Sequence, residues 1–122
     1  MTHAFNLPDT RGGPDNPYFD GQVVSYNFTA DGYEARLGII QPGFEGTFPA
    51  DEGGENITLI DPKEGSQLTI EVIGKDGNVE TSHSLVEEGD ALSVPGGRQM
   101  KVSTAGAVVR YVCVYPGRPV KK

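Results

Sequence analysis

Turn residues cut this chain into short pieces. Seventeen glycines and nine prolines are spread through 122 residues. Between them no segment keeps the i, i+3, i+4, i+7 apolar spacing of an amphipathic helix for three turns. The pieces that remain are rich in β-branched and aromatic residues, or alternate apolar with polar. Gln22–Thr29 reads as a strand closed by Asp31-Gly32, a two-residue hairpin signal. Tyr33–Gln41 returns and is closed by Pro42-Gly43. Gln67–Ile73 puts Leu68, Ile70 and Val72 on one face and Thr69 and Glu71 on the other, because successive side chains in a strand point to opposite faces. Asp76-Gly77 turns it into Asn78–Leu85, and Val108–Tyr115 ends the series. About nine short strands without helices predict an all-β barrel or sandwich.

The stretch Gly89-Asp90-Ala91-Leu92-Ser93-Val94-Pro95-Gly96-Gly97 sharpens this expectation. A short strand, Ala91 to Val94, is bracketed by Gly-Asp and Pro-Gly-Gly. Such a bracket aims the following residues, Arg98 to Val102, at the mouth of a small barrel. Length suits one domain, with a flexible arm over 1–16, the barrel over 17–116 and a flexible tail over 117–122. His3 lies in the arm.

Composition excludes several function classes. The net charge is −7, from 10 Lys and Arg against 17 Asp and Glu, which argues against a nucleic-acid surface. No apolar run approaches the roughly 18 residues that span a bilayer, so no membrane association is expected. No secretory signal pattern opens the chain. Cys113 is the single cysteine, which rules out an internal disulfide and fits a reducing cytoplasm.

Metal-binding cupin barrels carry two histidine motifs, and both are altered in this chain. The first runs from a glycine through five residues to His-x-His and a nearby glutamate. Counted from Gly43, the histidine positions hold Pro49 and Asp51, and the glutamate position holds Glu55. The second runs from Gly89 through Pro95 and Gly97 to a histidine, and here Met100 and Lys101 occupy that place. Transition metals want three or four N, O or S ligands, so no metal is expected. His83, within Thr81-Ser82-His83-Ser84, is expected to face solvent.

Residues Asn16 to Tyr115 resemble the pyrimidine/purine nucleoside phosphorylases, small single-domain cupins. Asn16-Pro17-Tyr18-Phe19-Asp20-Gly21-Gln22-Val23 is similar to that family's opening Asn-x-Tyr-Phe-x-Gly-x-Val. Ala35-Arg36-Leu37-Gly38-Ile39-Ile40, Gly43 with Thr47-Phe48, Glu55-Asn56-Ile57-Thr58-Leu59-Ile60, Val94-Pro95-Gly96 and Tyr111-Val112-Cys113-Val114-Tyr115 follow in the family's order. Two departures stand out. The family's His-x-Glu-x-His after Val-Pro-Gly is Gly97, Gln99 and Lys101 here, and Asp61-Pro62-Lys63-Glu64 lengthens the turn before Gln67. The resemblance implies an RmlC-like jelly-roll cupin barrel, no cofactor, inorganic phosphate as co-substrate, and a homodimer. It implies phosphate-dependent cleavage of purine and pyrimidine nucleosides to free base and ribose 1-phosphate.

That reaction asks for three things. An anion needs charge-assisted donors, ribose hydroxyls need an orienting carboxylate, and the departing base needs a donor. Glu55 is the candidate for the ribose and Lys101 for the phosphate. Lys101 and Gln99 share one strand face opposite Met100 and Val102, and the family resemblance implies that their face lines the pocket. Arg98 is expected at the strand entrance. Arg36, Asp51 and Thr58 are further candidates for substrate binding, and Phe48 and Tyr111 for stacking on the base, with Tyr115 beside them. The competing reading is a metal-free cupin that holds a small anionic ligand, such as a nucleotide or sugar phosphate, without turnover.

Overall fold

In a computed structural model, residues 23–30 and 33–116 are described. The expected arm over 1–16, the tail over 117–122 and the Asp31-Gly32 turn lie outside the described residues. Nine strands and no helix are present among the described residues: β1 (Val23–Ala30), β2 (Tyr33–Ile40), β3 (Glu45–Pro49), β4 (Glu55–Ile60), β5 (Gln67–Ile73), β6 (Val79–Leu85), β7 (Ala91–Val94), β8 (Gln99–Ala105) and β9 (Val109–Tyr115).

They form two antiparallel sheets, a five-stranded one ordered β1-β2-β9-β4-β7 and a four-stranded one ordered β3-β8-β5-β6. Only β1–β2 and β5–β6 are hairpins between sequence neighbours. Every other connection crosses from one sheet to the other, which wraps the two sheets around a single interior. Turns at Gly43, Gly77 and Gly97 each take a left-handed φ, a conformation that glycine adopts without a Cβ clash.

The core fills the space between the sheets. Leu59 and Val109 are fully buried, and Ile40, Leu68, Ile70 and Val94 are nearly so. On β5 the buried residues are Leu68, Ile70 and Val72, as the alternation predicts. On β8 the buried residues are Met100, Val102 and Thr104. Lys101 and Gln99 therefore point away from the interior, which corrects the expectation that their face lines the pocket. The reason is packing. β8 sits between β3 and β5, and its apolar face is needed against the opposite sheet, while the Lys101 ammonium reaches Glu45 Oε1 at 3.4 Å on the outside.

The Pro95-Gly96-Gly97 bracket holds a neighbouring loop. A Cβ on Gly96 would lie 1.9 Å from the Glu52 carbonyl oxygen, so only glycine lets the 51–54 loop approach this closely. The Ala50 N–H donates to the Arg98 carbonyl at 2.9 Å, and Gly54 N–H donates to Asp51 carbonyl at 2.9 Å. At the other end of the bracket, Asp90 Oδ2 accepts from the Val86 and Glu87 N–H groups at 3.0 and 2.9 Å. Those backbone donors, Glu87 first, hold its carboxyl below the usual aspartate range.

Candidate functional site

A cavity of about 340 Å³ opens between the sheets, within the range of roughly 300–1,000 Å³ for small-molecule pockets. Its two walls differ. The five-stranded sheet contributes Ser25, Arg36, Glu55, Tyr111, Cys113 and Tyr115, together with the aliphatic Val23, Ile40 and Ile57. The four-stranded sheet contributes Phe48, Leu68, Ile70, Met100 and Val102. Residues Pro49 to Glu52 form part of the rim.

Strand parity explains the polar wall. Tyr111, Cys113 and Tyr115 alternate along β9 and so share one face. β2 pairs with β9, placing Gly38 opposite Tyr111 and Arg36 opposite Cys113. A Cβ on Gly38 would lie 2.2 Å from Tyr111 Cζ, so the tyrosine ring lies over the glycine and reaches the strand where Arg36 stands. Arg36 Nη2 donates to the Tyr115 hydroxyl at 3.0 Å, and its Cζ is 5.5 Å from the Tyr115 ring centroid. It also hydrogen-bonds Tyr111.

Glu55 opens β4 beside this group, and both its carboxylate oxygens are engaged. Oε1 accepts from the Asp51 N–H at 2.8 Å and Oε2 accepts from the Cys113 thiol at 2.8 Å. Among the described residues, no buried side-chain nitrogen or oxygen lacks a hydrogen-bond partner.

Enclosure shifts several of these groups. Burial pushes the Tyr111 phenol up to about 12, against the lowering field of the Arg36 guanidinium and with a smaller push from Cys113 and Glu55. Burial and then the negative charge of Glu55 push the Cys113 thiol well above its ordinary value. Tyr115 rises through burial and a hydrogen bond to Glu34. For Arg36, burial works to lower the pKa, but the fields of Tyr115, Tyr111, Cys113 and Glu55 outweigh it and the value rises. At neutral pH the wall thus presents two protonated phenols, a protonated thiol and a guanidinium.

Of the residues expected at the site, the structure brings Arg36, Phe48, Asp51, Glu55 and Tyr111 around the cavity. It does not bring Lys101, Gln99, Arg98 or Thr58 there. Arg98 points elsewhere because its Nε donates to Glu80 Oε1 at 3.2 Å and its Nη1 to the Gly96 carbonyl at 3.0 Å. Thr58 lies between buried Ile57 and Leu59 on β4 and faces outward by alternation. His83 is exposed on β6. Cys113, Ser25 and Glu52 went unassigned in the sequence reading. For Cys113 the available signal was its spacing of two from both Tyr111 and Tyr115. Among the described residues, no three His, Cys, Asp or Glu side chains gather as a metal-binding set.

The model of the family "Pyrimidine/purine nucleoside phosphorylase" matches residues 14–115. The chain belongs to this family. Comparison with curated protein sequences gives no match. Solved structures of similar fold include a protein of unknown function from Vibrio parahaemolyticus, with 23% identity over 80% of this chain and 92% of that one, at a TM-score of 0.61. The cupin domain of Cnp3 from Schizosaccharomyces pombe is similar at 13% identity over 94% of this chain and 69% of that one, with a TM-score of 0.65. A mutant oxalate decarboxylase from Bacillus subtilis gives a TM-score of 0.74 at 13% identity, covering 93% of this chain and 29% of the decarboxylase. The fold of this nucleoside phosphorylase family member is therefore the cupin β-barrel. No helix among the described residues is long and apolar enough to cross a membrane.

Proposed function

We propose that the cavity carries out phosphate-dependent cleavage of nucleosides. The observation that carries this reading is the grouping of Arg36 and Glu55 on one wall of a cavity between the sheets in a chain of this family. In the reaction a phosphate oxygen forms a bond to C1′ of the ribose. The C1′–N bond breaks, and the base leaves with the bonding electrons and takes up a proton. Positive charge develops on the sugar, as in glycoside cleavage.

Arg36 is the only cation among the described cavity-lining residues and holds the phosphate through charge-assisted hydrogen bonds. Glu55, fixed at both oxygens, orients the ribose hydroxyls and offsets the developing charge. Asp51 extends that carboxylate surface at the rim. Tyr111 keeps its proton at neutral pH and donates toward the substrate, while Phe48 and the apolar wall pack the base.

The competing reading, a metal-free binder of a nucleotide or sugar phosphate, drew on Lys101 and Arg98 as pocket cations. With both outside, one guanidinium faces the carboxylates of Asp51, Glu52 and Glu55. The cations that favoured a dedicated anion binder therefore lie outside the cavity.

We also infer a homodimer working in the cytoplasm. Support for the dimer is the outer face of β2 and β9, where Ala35, Leu37, Ile39, Val112 and Val114 alternate outward, and Val114 is 42% exposed. An apolar outer face of this kind suits a partner surface. Support for the cytoplasm is the lone cysteine, Cys113.

The test is direct. The protein is incubated with uridine, inosine, adenosine and guanosine in phosphate buffer, and free base and ribose 1-phosphate are quantified. Phosphate-dependent release of the two products in equal amounts is expected. No base release at high protein concentration, together with thermal stabilisation by nucleotides, overturns the enzyme reading in favour of the binder.

A further inference from the structure

We infer that Cys113 is a positioning residue whose thiol proton fixes the Glu55 carboxylate in the cavity. The inference rests on the reading of Glu55 as the group that meets the ribose. Three observations carry it. Cys113 is the chain's single cysteine and is buried, yet it lines the cavity. Its Sγ lies 2.8 Å from Glu55 Oε2. The second oxygen of the same carboxylate is held from the other side by the Asp51 N–H at 2.8 Å.

Register makes the contact possible. β4 pairs with β9 so that Cys113 stands opposite Ile57. Glu55 is two residues before Ile57 on the same face, so the thiol reaches it along the diagonal, within the range that long side chains cover. β4 supplies Glu55 at the strand's first residue, where its other flank is the 51–54 loop rather than another strand. A carboxylate there has two rotatable bonds beyond Cβ and would otherwise sample several directions. The backbone donor and the thiol pin it in one plane. The lone pairs left over then point in a fixed direction, which is the condition for orienting a bound hydroxyl.

The protonation state fits this role. Burial first, then the charge and hydrogen bond of Glu55, keep the proton on sulfur, with a smaller push from Asp51 and an opposing pull from Arg36. Cys113 is thus a donor across the physiological range. A nucleophilic role would need the thiolate.

Two measurements test the proposal, one of which needs no turnover. A single cysteine gives a single S–H stretching band in the Raman spectrum. The wild-type band is expected at lower wavenumber than in Glu55→Ala, because the carboxylate acceptor weakens the S–H bond. An unchanged band overturns the contact. In steady-state phosphorolysis, Cys113→Ala is expected to lose about tenfold in kcat, the loss of one hydrogen bond to a charged group, with KM for nucleoside changed less than threefold. Cys113→Ser, which restores a donor, is expected to recover most of kcat. Wild-type kcat in Cys113→Ala overturns the positioning role, as does equal loss in the alanine and serine variants. A wild-type protein that releases no base defeats the phosphorolysis reading instead, and the S–H band then decides the Cys113–Glu55 contact independently.

Discussion

The two walls of the cavity come from strands of similar length and obey the same alternation, yet one is apolar and the other sets charged and hydroxyl groups beside Val23, Ile40 and Ile57. The five-stranded sheet turns Arg36, Glu55, Tyr111, Cys113 and Tyr115 inward, while the four-stranded sheet turns Leu68, Ile70, Met100 and Val102 inward. Their outer faces are reversed. β2 and β9 show Leu37, Ile39, Val112 and Val114 outward, while β8 and β5 show Lys101, Ser103, Thr69 and Glu71. One wall supplies burial, worth about 25 cal/mol per Å² of apolar surface removed from water. The other holds a polar network that is tolerable in the interior only because its members satisfy one another. Both sheets supply core residues, among them Leu59 and Val109 on one and Leu68 and Ile70 on the other, while the charged groups of the cavity walls stand on the five-stranded sheet.

That division breaks if substitutions on the two sheets have the same consequences. The largest effect on folding is expected from the core of the four-stranded sheet. Leu85, on β6 of the same sheet and outside the cavity lining, is 5% exposed, and Leu85→Ala should cost about 2–5 kcal/mol in denaturant unfolding, while the folded fraction keeps its turnover. Loss of turnover without loss of stability would show that this sheet does more than pack.

The contact that seats the polar wall comes next. Gly38→Ala would place a methyl group 2.2 Å from Tyr111 Cζ and should cost about 1–3 kcal/mol through overpacking. The cost should largely vanish in a Tyr111→Ala background, since the two residues are in direct contact. Additive losses in the double variant would mean that Gly38 matters for some other reason.

A pH titration gives a smaller effect. An unfolded tyrosine loses its proton near pH 10, whereas Tyr111 keeps it up to about 12. Between these values the unfolded chain binds fewer protons than the folded one, so stability falls as pH rises. The slope from Tyr111 should approach about 1 kcal/mol per pH unit from pH 10 to 12, and be absent below pH 10. Tyr111→Phe should remove that share of the alkaline slope in equilibrium unfolding. An unchanged slope would show that Tyr111 is not the enclosed phenol described above.

The reversed walls also explain which features were legible in the sequence. The strands Gln67–Ile73 and Ala91–Val94 match in full, because glycine turns and β-branched residues act locally. The all-β barrel followed from the same signals. On β5, apolar parity correctly marked the inner face. On β8 the same parity separates Met100 and Val102 from Gln99 and Lys101, but the family resemblance points the Lys101 face at the pocket, and the structure turns it out. Parity divides a strand into two faces and does not say which one meets the cavity. On β2 and β9 the face that carries the polar groups turns in, and on β5 and β8 it turns out. Only the pairing of whole strands decides this, and it depends on residues far apart in sequence, as in Arg36 opposite Cys113. The Cys113–Glu55 contact was hidden for the same reason, since its partners are 58 positions apart.

The measurement that tests the account most directly sets the polar wall against the outer face of β8. Phosphorolysis is followed at varied phosphate concentration in Arg36→Gln and Lys101→Ala, both checked for wild-type folding. Lys101 makes only an exposed ion pair with Glu45, of the kind worth about 0–1 kcal/mol, and its variant should keep kcat/KM for phosphate within about twofold. Arg36→Gln should lose on the order of a hundredfold, the usual scale for removing a charged donor from a reacting anion. A wild-type value in Arg36→Gln, or a larger loss in Lys101→Ala, would contradict the assignment of the chemistry to the five-stranded sheet.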